Sequence, residues 1–245
     1  MENMPTERKV KDNRLRISET LTVGILLTVA GGFLDAYTYL FRGGVFANGQ
    51  TGNLVLLGIS LAARDFQRAF YYLLPICSFL LGVFLTENIH RRISNTSFIK
   101  WRHIILLLEI LLLFVCIFIP VGTMDSAANI IISFICALQT QAFRSLRGLS
   151  YISVMCTGNL RSGIQELCTY MQSRDRKHLT NFRHYFVIVA GFIAGALTGP
   201  LLLARLEQFA LVFPIILLGI VLLLLLLKKQ LMRLTERWNL RWLER

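Results

Sequence analysis

Three observations predict that this chain is an all-α protein, a polytopic membrane helix bundle with about six spans. Hydrophobic residues make up 55% of its 245 residues and charged residues only 16%, whereas soluble domains average about 45–50% and about 25%. The apolar residues gather in runs close to the roughly 20 helical residues that a bilayer core about 30 Å thick requires. The basic residues lie mostly in the short stretches between those runs.

Six apolar runs qualify, or nearly qualify, as spanning helices. They are Thr20–Leu40, Phe70–Ile89, Ile104–Ile119, Ser126–Phe143, Tyr185–Ala204 and Phe209–Leu227. The third run is short, which suits a thinner patch of bilayer or snorkelling by basic residues at its start. Packing of these helices against one another predicts one membrane unit rather than several independent domains.

The basic residues predict the orientation of the chain. With the N-terminus in the cytoplasm, the segments on the inner side hold 22 of the 26 Lys and Arg residues. This distribution satisfies the positive-inside rule and predicts that both termini are cytoplasmic. The net charge of +12 is then explained by topology and by contact with anionic lipid, and no nucleic-acid-binding motif accompanies it.

The chain is predicted to comprise four segments. Residues 1–19 form a basic cytoplasmic N-terminus, residues 20–120 a first membrane repeat and residues 121–228 a second, inverted repeat. Residues 229–245 are predicted to form a cytoplasmic amphipathic helix, because arginine recurs every fourth residue from Arg233 to Arg245. The alternative for this tail is a solvated segment that binds a partner.

Two correspondences indicate the internal repeat. The tetrapeptide Thr-Gly-Asn-Leu occurs at Thr51–Leu54 and again at Thr157–Leu160, an offset of 106 residues. Two triads of small residues spaced four apart, which allow close helix packing, correspond at an offset of 113. They are Ser78, Gly82 and Thr86, and Gly191, Gly195 and Gly199. Each copy holds three spans, an odd number, so the sequence predicts 3+3 inverted repeats, a plan that recurs in transporters.

Each TGNL segment is predicted to be a broken or re-entrant half-helix. Residues 43–50 contain three glycines and no helical pattern, and an apolar run of eleven residues follows before Arg64. Eleven helical residues rise about 16 Å, roughly half of the bilayer core. Thr51 or Asn53 is the expected N-cap, with the free N–H groups of the helix start directed at the membrane centre. The alternative is a surface loop followed by an interfacial helix.

A family resemblance rests on two segments of the first repeat. Gly31–Tyr37 (Gly-Gly-Phe-Leu-Asp-Ala-Tyr) and Gln50–Asn53 (Gln-Thr-Gly-Asn) resemble the YoaK-like family of bacterial inner-membrane proteins, catalogued as a domain of unknown function with about six predicted spans. The resemblance covers about Thr20–Leu227. It implies a multi-pass protein of the bacterial plasma membrane, and it supplies no substrate.

Two carboxylates lie inside predicted spans, where ionisable residues are costly and face a bundle interior or a cavity. Asp35 lies late in the first run, and both a proton-carrying role and a structural pair with Arg42 or Arg144 are open to it. Glu109 lies in the third run, far from the TGNL motif in sequence, and is interpreted as structural. At the offset of 106, Asp35 corresponds to Gln141.

The sequence therefore predicts a small secondary transporter or carrier of a polar or anionic solute, with a proton on Asp35 as the expected coupling. The predicted substrate-binding residues belong to the two TGN segments and to polar positions beside them. They are Asp35, Asn48, Gln50, Thr51, Gly52, Asn53, Gln141, Thr157, Gly158 and Asn159.

Two other classes of function compete with the carrier. One is a non-transporting membrane scaffold or regulatory protein. The other is a membrane enzyme acting on lipid, which we do not expect, because the sequence carries no recognisable catalytic motif and no set of paired metal ligands. No cofactor or metal is predicted. The expected partners are the lipid bilayer and an unidentified small solute, with homo-oligomerisation left open.

Overall fold

The computed structural model describes residues 20–93, 98–146, 149–150 and 156–243. These residues form eight α-helices and one two-stranded antiparallel ribbon. The helices are α1 (Leu21–Phe41), α2 (Gln50–Ala62), α3 (Phe66–Ile93), α4 (Phe98–Ile117), α5 (Asp125–Ala142), α6 (Cys156–Ser173), α7 (Arg176–Leu206) and α8 (Val212–Leu243). The ribbon pairs β1 (Ser145–Leu146) with β2 (Leu149–Ser150), and a 3₁₀ helix, Glu207–Leu211, joins α7 to α8.

The helical membrane bundle predicted from the sequence is confirmed. Three stretches of the described residues are helical and are long and apolar enough to cross a membrane: Leu21–Phe41, Phe66–Arg91 and Arg176–Leu227. The last of these stretches contains α7 and most of α8. The helices α4 and α5 also coincide with predicted runs.

Two helices extend beyond the apolar runs from which they were predicted. The last apolar run and the predicted tail helix form one continuous helix, α8, that extends to Leu243, because no proline or glycine interrupts the chain between them. The helix α7 begins at Arg176 rather than near Tyr185, since Asp175 caps it by accepting a hydrogen bond of 2.9 Å from the backbone N–H of Lys177. The predicted basic segment 1–19 lies outside the described residues.

The helices pack in pairs that recur in the two halves of the chain. The main contacts of α1 are with α7, and those of α3 are with α5. The short helix α2 lies on α3, and the short helix α6 lies on α7. The helix α4 contacts α5, α8 contacts α1, and α4 and α8 contact each other. Each of these pairs therefore has a counterpart when α1–α4 are exchanged for α5–α8.

Members of both small-residue triads lie at close contacts of these helix pairs, in agreement with their predicted role in packing. A Cβ atom added to Gly195 would collide with the backbone carbonyl of Val29, and one added to Gly199 would lie 2.6 Å from the Cβ of Ala36. In the other pair, Ser78 Oγ donates to the carbonyl of Ile130 at 2.7 Å, and a Cβ on Gly82 would lie 2.7 Å from that of Ala137. Contacts later in α1 are made by residues later in α7, so these two helices run parallel. The same order holds for α3 and α5, which also run parallel.

The outer surface of the bundle is apolar. Large hydrophobic side chains are widely exposed, among them Phe84 (65%), Phe118 (67%) and Ile193 (62%). Most of the core consists of apolar side chains from α1, α4, α5 and α8. A surface of this kind matches a lipid environment, because soluble proteins seldom expose apolar patches of such extent.

Candidate solute site at the start of the short helices

The segment between α1 and α2 turns back along α1. Gly43 and Gly44 adopt positive φ angles of 80° and 79°, a conformation that glycine allows without strain. The chain then runs down the side of α1 until the side-chain amide of Asn48 donates to the carbonyl of Gly31 at 3.1 Å. Gly31 is the eleventh of the 21 residues of α1. The start of α2 therefore lies level with the middle of α1.

Polar groups of α1 bind the backbone of this segment. The Asp35 carboxylate accepts the backbone N–H of Asn48 at 2.7 Å. The Thr38 hydroxyl accepts the backbone N–H of Ala47 at 3.2 Å and donates to the carbonyl of Leu34 at 3.0 Å. Asp35 is only 7% exposed and Thr38 is fully buried. Asp35 and Thr38 thus supply the hydrogen bonds that buried backbone N–H groups of this segment would otherwise make to water.

Asn53 fixes the other side of the same segment. Its side-chain oxygen accepts the backbone N–H of Phe46 at 3.0 Å, and its amide nitrogen donates to the carbonyl of Phe46 at 2.7 Å. The same nitrogen donates to the side chain of Gln50 at 2.9 Å, and Gln50 in turn donates to the carbonyl of Ala47 at 2.8 Å. Asn53 is fully buried, and its amide is committed to anchoring the loop.

The predicted N-cap of α2 is therefore wrong. The helix begins at Gln50 with Gly49 in the capping position, and no side chain caps it. Asn53 lies inside the first turn because both ends of its amide bind Phe46. Gly52 packs so closely on the Phe46 ring that an added Cβ would lie 2.8 Å from it, and Thr51 is exposed on the outer side of the turn.

The second TGN segment opens α6 in a comparable way. The helix begins at Cys156, with Thr157 and Gly158 exposed and Asn159 buried (3% exposed). The Cys156 side chain lies within electrostatic range of the Asp35 carboxylate. The charge of Asp35, which binds the loop before α2, therefore acts on the first side chain of α6. Residues 151–155, which precede α6, lie outside the described residues.

Neither of the arginines weighed as partners of Asp35 pairs with it. Arg42 is fully buried and binds Asp125 at 3.2 Å. Its guanidinium also donates to the carbonyls of Ile119 and Pro120 at 3.0 and 3.1 Å, so it satisfies backbone groups just beyond the end of α4. Composition gave no indication of this role, because one arginine beside an apolar run has the appearance of an interfacial residue.

Arg144 lies at the far end of α5 and pairs with Glu87 of α3 at 2.5 Å. Its Nε donates to the backbone carbonyl of Gln141 at 3.2 Å. The side-chain oxygen of Gln141 is buried without a hydrogen-bond partner in the described part of the chain. The structure thus places Gln141 beside an ion pair, with no hydrogen bond to Asp35 or to the TGN residues among those described.

Buried polar side chains of α5, called the polar track below, interact electrostatically with both Asp35 and Glu109, the acid that the sequence interpretation had set apart. Glu109 and Cys136 are both fully buried. The Cys136 thiol lies beside the Asn48 side chain and within electrostatic range of both Asp35 and Glu109. Ser133 lies one turn before Cys136 on α5 and is also fully buried. The sequence signal that could have indicated this track is the recurrence of small polar residues every three or four positions along α5. These residues are Asn129, Ser133, Cys136 and Thr140.

Eight of the ten predicted site residues form two groups, and Gln141 and the buried Asn159 belong to neither. Asp35, Asn48, Gln50 and Asn53 meet in one hydrogen-bonded network. The remaining TGN positions form the accessible starts of the two short helices, apart from the buried Asn159. They are Thr51, Gly52, Thr157 and Gly158.

An apolar outer surface, a buried polar interior and helices that begin inside the bundle define a multi-pass α-helical membrane protein. The chain belongs to the family described as "Protein of unknown function (DUF1275)", which matches residues 23–224. It is 30% identical over 149 residues to the UPF0700 transmembrane protein YoaK of Bacillus subtilis (strain 168). This match covers 58% of the chain and 64% of that relative, less than two thirds of its length. No solved structure matches the chain.

The family resemblance drawn from Gly31–Tyr37 and Gln50–Asn53 is therefore confirmed. Both segments lie within the matched residues 23–224.

Proposed function

We propose that this protein is a small secondary transporter or carrier of a polar or anionic solute in the bacterial inner membrane. In this proposal six helices span the bilayer, both termini are cytoplasmic, and no enzymatic step is involved. The observation that carries it is the bond from Asn48 to Gly31, which sets the start of α2 level with the middle of a helix long enough to span.

The short helix α2 is proposed to be a re-entrant half-helix. A helix of 13 residues rises about 20 Å, which is enough to return from the membrane centre to one surface. Loops are tolerated at such depth only where protein or a water-filled cavity surrounds them. The bonds from Asp35, Thr38 and Asn53 to the backbone of residues 46–48 meet that condition.

Inverted repeats are proposed because the two halves share a packing plan. The pair α1 and α7 and the pair α3 and α5 both run parallel and both use small residues at their contact. The pairs α2 with α3 and α6 with α7 correspond in the same way. With both termini on one side, this exchange requires an axis in the membrane plane, as in transporters built from inverted repeats.

A polar or anionic solute is proposed from the two helix starts. A helix N-terminus presents free N–H groups and the positive end of its dipole, which favour negative or polar groups. The exposed Thr51, Thr157 and Gly158 border these starts. Asp35 is placed to influence both, since it binds the loop before α2 and lies within electrostatic range of Cys156. Proton coupling forms part of the same proposal.

The short helices differ in the faces they leave exposed, and this difference supports a water route on the cytoplasmic side. The exposed face of α2 is largely apolar and includes Val55 (57%) and Ile59 (60%). The exposed face of α6 instead carries Thr157, Arg161 and Gln165. A polar face at membrane depth is costly against lipid, so we propose that it lines the cytoplasmic entrance to the site.

Thiol labelling tests this proposal. Thr157→Cys, in a chain whose native cysteines are replaced by alanine, is expected to react with a charged, membrane-impermeant maleimide in inside-out vesicles. Thr51→Cys is expected to react in right-side-out vesicles, because the proposed site opens to both aqueous sides in turn. Labelled fraction on a denaturing gel is the measurement.

The native Cys77 supplies the control for lipid exposure. It is exposed near the middle of α3, among apolar side chains. A chain that retains only this cysteine should therefore not react with the charged maleimide in either vesicle type. A Thr157→Cys thiol as unreactive as Cys77 in both vesicle types would contradict the carrier and favour the scaffold.

A further inference from the structure

Glu109 is an acid without a partner at the centre of the bundle. It lies on α4, is fully buried, and neither of its carboxylate oxygens has a hydrogen-bond partner in the described part of the chain. The helix on both sides of it is apolar, from Ile104 to Leu108 and from Ile110 to Phe114. An ionised carboxylate in such surroundings costs several kcal/mol by general estimates, unless it is paired.

Among the described residues, no cation of the neighbouring helices pairs with this carboxylate. Glu109 stands eight residues before the end of α4, and Ser133 stands eight residues after the start of α5, the next helix along the chain, which packs on α4. The Ser133 hydroxyl is buried and has no hydrogen-bond partner among the described residues either. Cys136, one turn further, lies within electrostatic range of Glu109.

The other titratable groups around α4 are distant or engaged. The stretch of α8 from Val212 to Leu227 contains no titratable residue, and Glu207 of the 3₁₀ helix is exposed. Glu87 of α3 is paired with Arg144. On α4 itself, the basic residues Arg102 and His103 are at least six residues from Glu109, about 9 Å along the helix, and α5 holds Asp125 in its pair with Arg42.

We infer that Glu109 is a proton-binding site and carries the proton that the carrier couples to its solute. One proton from water joins one carboxylate oxygen, giving a neutral carboxylic acid, and its release to water regenerates the carboxylate. The track of Cys136, Asn48 and Asp35 links this acid to the proposed solute site. Glu109 suits the role better than Asp35, because an oxygen of Asp35 is occupied by the backbone of Asn48.

The occupant is a proton rather than a metal cation. Hard cations such as Na⁺ or Ca²⁺ require several oxygen ligands around one point. Among the described residues no group of three or more His, Cys, Asp or Glu side chains is placed to hold a metal ion. Cys136, the group of α5 that interacts electrostatically with Glu109, is a thiol, and a neutral thiol suits a neutral acid.

Infrared spectroscopy tests this inference, which rests on the proposed carrier function but is measured without any solute. The full-length protein in lipid is prepared with and without carboxyl-¹³C glutamate at pH 7. A protonated glutamic acid has a carbonyl-stretch band separate from the carboxylate bands, and isotope labelling shifts it. We expect one such band, lost completely in Glu109→Gln and retained in Glu207→Gln, the matched exposed control.

Three outcomes overturn the inference. They are the absence of a protonated glutamate band at pH 7, a band that survives Glu109→Gln, and a band that disappears when K⁺ is replaced by Na⁺. The labelled wild-type protein answers the first and third questions even if Glu109→Gln does not fold. The proposed carrier fails separately, through the reactivity of Thr157→Cys, so loss of one proposal leaves the other measurable.

Discussion

At the scale of single residues, the polar side chains near the proposed membrane centre have two different roles. Asp35 and Asn53 hold the segment before α2 in place through its backbone. Glu109 has no such task, because neither of its oxygens meets a donor among the described residues. A buried polar group that anchors backbone contributes to stability, whereas one without a partner is a candidate for function.

Replacing Asn53 tests the anchoring role. Asn53→Leu should lower the stability by about 1–3 kcal/mol, because it leaves the part-buried N–H and C=O groups of Phe46 without their partner. The midpoint of thermal unfolding in detergent measures the effect. This expectation replaces the sequence-based view of Asn53 chiefly as a solute contact.

Thr51→Val is the matched control for Asn53→Leu, since Thr51 lies in the same turn but is exposed. We expect its unfolding midpoint to stay close to that of the wild-type protein. Equal midpoints for Asn53→Leu and Thr51→Val would show that the amide does not hold the loop.

At the scale of elements, periodicity and apolar length predicted the helices well but their polar contacts poorly. Six predicted runs coincide with helices, and members of the small-residue triads lie at close helix contacts. The start of α2 and the partner of Arg42 were missed for one physical reason. Both depend on backbone groups brought together by folding, Phe46 in one case and the carbonyls after α4 in the other.

Close packing of α1 on α7 gives the second prediction. Gly195→Ala should destabilise the bundle by about 1–3 kcal/mol, the usual cost of overpacking, because the new Cβ collides with the carbonyl of Val29, which the helix holds fixed. Yield of monodisperse protein and its thermal midpoint measure the loss.

Gly58→Ala is the control, because an added Cβ there meets nothing within 4 Å. It should leave α2 unchanged or stabilise it by up to about 1 kcal/mol, the helix preference of alanine over glycine. If Gly195→Ala were equally harmless, the contact between α1 and α7 would be looser than described.

At the scale of the whole molecule, the central claim is that two inverted halves bring their short helices together inside the membrane. The bond of Asn48 to the middle of α1 and the proximity of Cys156 to Asp35 support this arrangement from opposite halves of the chain.

The most direct test is the distance between the two helix starts, measured by double electron–electron resonance in lipid nanodiscs. Spin labels at Thr51→Cys and Thr157→Cys, in a chain without other cysteines, report it, and a pair at Met124→Cys and the native Cys168 serves as the reference for labels near opposite surfaces. We predict a distance well below the roughly 30 Å thickness of the hydrocarbon core and shorter than the reference. A distance of about 30 Å or more, equal to the reference, would place the two motifs at opposite surfaces and contradict the shared site.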